Sequence, residues 1–224
     1  MADNYLEKRY DEVFGSGRTK VKRVGHPLDE LLLRTRSCRG YLKDYVVKQE
    51  ELERIVGVCG KIPSARNQQV LRFRLVTKGD GANIVNRNIR LGAALPELHL
   101  PFPGTEPEAF IIICSTAPES KMVDIDLGIA IQSMLLKAVE MGLNGICIGA
   151  FNKQEAMKFV SEGKEDPSGC NTDERFLEPL LVIALGKGAE RYQILHIAED
   201  QSHNYFRENG IHYIPKVRAE DLIL

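Results

Sequence analysis

Hydrophobic and polar positions alternate along this chain with periods that mark its elements. Over 48–62, KQEELERIVGVCGKI, the apolar residues Leu52, Ile55, Val56 and Cys59 recur at helical spacing behind an acidic first turn. This predicts a helix that Pro63 stops. VLRFRLVTK at 70–78 alternates apolar with basic and predicts a half-buried strand. FIIICST at 110–116 and LLVIALGK at 180–187 are short continuous apolar runs, the pattern of strands buried on both faces. NGICIGAF at 144–151 predicts a further short strand, rich in glycine. DIDLGIAIQSMLLKAVEMGL at 124–143 is apolar around nearly its whole circumference. It predicts a long helix buried on all sides, by a core or by a second subunit. Asp124 and Asp126 suit its start, and Gly142 suits its C-terminal cap.

The remaining segments carry weaker patterns. Residues 4–14 and 28–33 predict short helices, joined by a basic, glycine-rich connector at 15–27. NIVNRNIRLGAAL at 83–95 has helical character, and the four prolines that follow predict a long loop within 79–108. NKQEAMKFVSE at 152–162 predicts a helix. Together these elements predict an α+β layered domain over 28–224, preceded by an N-terminal extension over 1–27. Its centre is a mixed or antiparallel sheet flanked by helices, with the long helix at the core.

Composition narrows the function. A chain of 224 residues with 43% hydrophobic residues is long enough for one sizeable core. The formal net charge of −1 argues against nucleic acid as the main partner, because a phosphate backbone requires a basic face. Five cysteines, irregularly spaced and without a CxxC pair, predict free thiols in a reducing compartment and no zinc site. The charged N-terminus lacks an apolar signal region, and no run is long enough to span a membrane. A cytoplasmic location is therefore expected. Neither GxGxxG nor GxxxxGK[ST] occurs.

Four short stretches hold the candidate chemistry, and each also has a plain structural reading. RTRSCRGY at 34–41 gathers three arginines around Ser37, which suits a phosphate or simply a solvated helix end. PSARNQQV at 63–70 is a polar break whose backbone amides and carboxamides could read a heterocycle, or a polar loop and nothing more. The glycines of NGICIGAF allow close approach of a flat group, or tight packing. Lys216 and Arg218, two residues apart, share a face if extended. They suit an anion or an exposed tail.

In this order along the chain the four stretches resemble the FMN-dependent nitroreductase family. The most specific matches are Arg36-Ser37-Cys38-Arg39 and Pro63-Ser64-Ala65-Arg66-Asn67-Gln68-Gln69. The resemblance covers roughly residues 28–218. It implies an intertwined homodimer with FMN bound between the subunits, and NAD(P)H as electron donor. It further implies that Arg36, Ser37, Cys38 and Arg39 bind FMN from one subunit, with Ser37 at the phosphate and Arg39 near N1 and the C2 carbonyl of the ring. Pro63, Ser64, Ala65, Asn67 and Gln69 would come from the other subunit. Gly149 and Ala150 would offer backbone N–H groups near N5 and O4, and Lys216 and Arg218 would bind phosphate.

Three departures stand out. Thr35 replaces a frequent arginine, Val70-Leu71 replaces a proline–tryptophan pair, and Gly149 stands where some members carry an acid. The activity implied is two-electron reduction of nitroaromatics, quinones or similar small electron-poor acceptors by a ping-pong mechanism. No catalytic side chain and no metal is implied. The alternatives are a flavoprotein that stores or senses FMN, and a specialised flavin-fragmenting or dehalogenating relative. Cys38 and Cys147 are expected to be packing residues.

Overall fold

A computed structural model describes residues 27–92, 95–162 and 177–224, so the helix expected at 4–14 and all but the last residue of the extension expected at 1–27 lie outside the described residues. Four strands form the main sheet: β1 (Leu71–Val76), β2 (Ala109–Ser115), β3 (Asn144–Ile148) and β4 (Glu178–Gly186). Their order is β1-β2-β4-β3 and every neighbouring pair is antiparallel. Of the two arrangements expected, mixed or antiparallel, this sheet takes the second.

Strand β2 is buried at every position, which explains why its sequence is a continuous apolar run. The alternation of side chains then feeds two cores. Ile111, Ile113, Ile183 and Leu185 point to one face, where Leu52 and Ile55 of α2 (Gln49–Val56) and Met134 and Ala138 of α4 (Lys121–Glu140) cover them. Phe110, Ile112, Val182 and Ala184 point to the other, under Val85 of α3 (Asp80–Arg87) and Val160 of α5 (Lys153–Glu162). Fully burying such aliphatic side chains contributes about 1.5–3 kcal/mol each. The short helix α1 (Leu28–Arg34) packs on α4 and has no buried residue of its own.

The long helix differs from its expectation in two ways. It begins at Lys121 because the Ser120 hydroxyl accepts the Val123 N–H and caps the chain three residues before the acidic turn. It ends at Glu140 in a Schellman turn: Gly142 has φ +77°, its N–H reaches the Val139 carbonyl, and the Leu143 N–H reaches that of Ala138. Burial on all sides is not found in the isolated chain. Val123, Ala130, Met134 and Ala138 face inward, whereas Met122 is 52% and Ile125 45% exposed.

Elsewhere the helix at 48–62 gives way after Val56 to a 3₁₀ turn over Gly57–Lys61. The helix expected at 83–95 occupies Asp80–Arg87 instead. The strand expected at 144–151 stops at Ile148, where pairing with Val182 ends. After β4 the chain forms a second sheet that the hydrophobic pattern did not predict. Its strands are β5 (Arg191–Ile197), β6 (Phe206–Glu208) and β7 (Ile211–Val217), in the order β5-β7-β6. β5 and β7 run parallel, and an Asn209-Gly210 turn with both residues at positive φ joins β6 to β7.

Candidate functional site

Residues 36–41 run as a strap between β3 and the second sheet. Ser37 bridges Gly145, the Cys38 N–H reaches the Gly145 carbonyl, and Tyr41 bridges Gly188. A β-carbon on Gly145 would stand 2.8 Å from Leu135 and 2.9 Å from the Ala184 carbonyl, so the strap requires glycine there. Cys38 is fully buried, its thiol donates to the Gly40 carbonyl, and burial pushes its pKa up to about 11. A thiol so placed is protonated at neutral pH and packs as expected. Cys147 corrects the companion expectation: it is exposed on β3.

The arginines diverge. Arg34 pairs with Glu30 at 3.3 Å on the surface. Thr35 turns its hydroxyl to the Leu31 carbonyl. Arg36 donates to the Leu32 carbonyl, and partial burial lowers its pKa. Arg39 donates to the Ser37 carbonyl at 2.9 Å and to the Tyr205 hydroxyl at 3.4 Å, with its guanidinium 5.2 Å from the Tyr205 ring centre. In both Arg36 and Arg39 the Nε is buried without a partner. Such donors are costly to leave unpaired, and an anion would satisfy them.

The second polar stretch lies across the sheet. Ala65–Asn67 form a 3₁₀ turn, and Arg66, Asn67 and Gln69 all hold positive φ. Side chains rarely adopt this geometry, and three in four residues mark a constrained loop. What fixes it is Asp126: buried in α4, it accepts the Ala65 N–H at 2.8 Å. Gln69 donates to the Asn67 side chain at 3.1 Å. Beside this loop a cavity of about 250 Å³ is lined by Pro63, Ser64, Gln69, Val70, Phe73 and Asp126, among others.

The two stretches do not meet within one chain. The 63–69 loop adjoins β1 at one edge of the main sheet and the arginine strap adjoins β3 at the other, three strand spacings or roughly 14 Å apart. Gly149 and Ala150 follow β3 and are exposed, and a β-carbon on Gly149 would meet nothing within 4 Å. The two glycines of NGICIGAF therefore divide: Gly145 serves tight packing and Gly149 leaves open backbone. Lys216 is exposed at the end of β7, and Arg218 just beyond it pairs with Asp221 at 3.3 Å and Glu220 at 3.7 Å.

A model of the nitroreductase family matches residues 32–170. This chain belongs to the nitroreductase family. A protein of Archaeoglobus fulgidus named as a candidate NADH dehydrogenase/NAD(P)H nitroreductase is 26% identical over 137 residues, which cover 59% of this chain and 73% of that protein. Among solved structures, a candidate nitroreductase from Desulfovibrio desulfuricans in complex with FMN shares 22% identity. It superimposes with a TM-score of 0.54 over 74% of this chain and 88% of its own. A nitroreductase-family protein from Clostridium difficile gives 23% identity and 0.54 over 74% and 86%. The fold is thus nitroreductase-like, α+β.

The second sheet lies beyond residue 170, where the family-model match ends. It supplies side chains against the arginine strap that no motif announced. Glu190 accepts the Arg39 N–H at 2.7 Å and lies 3.1 Å from His212, and Tyr192 donates to Glu190. Burial raises the Glu190 carboxyl, but the nearby His212 imidazole and hydrogen bonds from the Arg39 amide and Tyr192 leave it below the usual range. Burial raises the Tyr192 hydroxyl. Among the described residues no cluster of three metal-ligating side chains occurs, and no helix is long and apolar enough to cross a membrane.

Proposed function

We propose that this nitroreductase-family chain is an FMN-dependent NAD(P)H oxidoreductase, and that it works as a homodimer on small electron-poor acceptors such as nitroaromatics or quinones. One observation carries the reading. The two most specific polar stretches sit on opposite edges of one sheet, an arrangement that supports a site in which a second copy of the chain brings one of each together.

The residues fit the cofactor. The unpartnered Nε groups of Arg36 and Arg39 offer donors to an anion, and the open backbone at Gly149 admits a flat ring. Arg36 and Ser37, with Lys216 and Arg218, would hold the phosphate. Arg39 would stand at the pyrimidine edge of the ring, where a fixed cation favours the negatively charged reduced form. Pro63, Ser64, Ala65, Asn67 and Gln69 of the second copy would cover the ring and ribityl chain from a loop already held by Asp126. When bound, FMN supplies the redox chemistry, taking hydride from NAD(P)H and passing the electron pair to the acceptor in ping-pong order. The FMN-bound relative from Desulfovibrio desulfuricans and a Staphylococcus epidermidis neighbour named as a candidate NAD(P)H:FMN oxidoreductase support the cofactor and the donor.

A dimer has a surface available. α1 packs on α4, and the two helices leave Leu28, Leu33, Met122 and Ile125 open to solvent. The test is anaerobic. Protein loaded with FMN should bleach promptly on addition of NADH or NADPH and recover its colour with a quinone. A flavin that stays oxidised with both nucleotides would indicate storage and overturn the enzymatic reading.

A further inference from the structure

Beneath the arginine strap the second sheet buries a polar cluster that the functional reading does not use. His212 is 2% exposed and the Glu190 side chain 9%. Glu190 Oε1 lies 3.1 Å from His212 Nε2. Its other oxygen accepts the Arg39 N–H at 2.7 Å and the Tyr192 hydroxyl proton. That hydroxyl stands 3.4 Å from the Ser37 carbonyl, and the Tyr192 ring lies 5.6 Å from the ring of His212.

Burying a carboxylate is costly, and a core selected for stability alone is better served by apolar side chains. What this cluster provides is direction. The bonds that leave it end on the backbone of Ser37 and Arg39, on either side of buried Cys38. Arg39 is thereby held from behind by Glu190 at its amide, while Tyr205 meets its guanidinium in front. Glu190, Tyr192, Tyr205 and His212 all lie beyond residue 170, outside the family match.

We propose that Glu190, held by Tyr192 beside buried His212, is a positioning residue that fixes the backbone of Arg39 so that its guanidinium meets the flavin. This rests on the FMN reading and assigns the second sheet a part in it. A ligand that engages Arg39 then also stabilises what Arg39 is bonded to, so FMN binding and the order of β5 and β7 are coupled.

The test is FMN titration by quenching of flavin fluorescence, paired with amide hydrogen exchange on the full chain. Glu190→Ala should weaken FMN binding about tenfold or more, the scale of one lost charge-assisted hydrogen bond. Glu190→Gln keeps an oxygen for the Arg39 N–H and should recover most of that affinity. Val160→Ala in α5 should lower thermal stability and leave FMN affinity unchanged. In the wild type, FMN should slow exchange at Arg39, Tyr192 and His212, and in Glu190→Ala it should not. Wild-type affinity and exchange in Glu190→Ala would overturn the inference, as would Glu190→Gln binding as weakly as Glu190→Ala. Should Glu190→Ala fail to fold, Tyr192→Phe takes its place: weaker FMN binding supports the proposal, and unchanged affinity overturns it. Failure of the wild type to take up FMN would overturn the functional reading itself, an outcome distinct from uptake that ignores Glu190.

Discussion

At the scale of single residues, buried carboxylates set the shape of both halves of the site. Asp126 accepts the Ala65 N–H and holds a turn in which three side-chain-bearing residues take positive φ. Replacing it with alanine leaves that amide unpaired, at a cost of about 1–3 kcal/mol, measurable as a lower urea midpoint. Asp126→Asn retains an acceptor and should lose less. Glu190 offers a pH test. Its folded pKa lies below the usual value, so its stabilising contribution is present above the unfolded carboxylate range, about 4.3. That contribution is lost as pH falls through the lower folded value. Glu190→Gln should therefore be less stable than wild type at pH 7, and the gap should narrow towards pH 3 in urea titrations. Neither role was visible in the sequence. Asp126 reads as an ordinary acid near a helix start, and Glu190 sits in a stretch with no periodicity, its partners supplied by residues 39, 192 and 212.

At the scale of elements, legibility followed burial. β2 and β4 were readable because burial on both faces demands unbroken apolar runs, and their alternation sorts cleanly into the two cores. The start of α4 was misplaced because its cap is Ser120, followed by polar Lys121, so the apolar pattern begins after the helix does. The second sheet was missed for the opposite reason. His212 is its one fully buried side chain among the described residues, so its strands carry little hydrophobic signal. Only the Asn-Gly turn at 209–210 marked it. The C-terminus of α4 was legible, since Gly142 supplies the left-handed residue of a Schellman turn. Gly142→Ala should cost about 1–2 kcal/mol through strain at positive φ, seen as a lower thermal midpoint with an unchanged circular-dichroism spectrum.

At the scale of the whole molecule, the all-round apolar pattern of α4 finds only part of its burial inside one chain. The remainder, at Met122 and Ile125, lies open to solvent on the helix against which α1 packs. A charge placed there should be harmless to an isolated fold and costly to an interface. Ile125→Glu should shift the species seen in sedimentation from dimer to monomer, and FMN uptake should fall with it.

The most direct measurement mixes two defective chains. Arg39→Ala spoils the strap, and Asn67→Ala combined with Gln69→Ala spoils the loop; each protein alone should take up little FMN. Unfolded together and refolded, the two form mixed dimers in which one site carries both lesions and the other carries neither. Half of the chains in a random mixture enter such dimers, so FMN uptake should recover to about one quarter of wild type, and to about half in purified mixed dimers. Mixed dimers that take up no more FMN than their parents would show that the strap and the loop serve the same chain, and would contradict a site shared across the sheet edges.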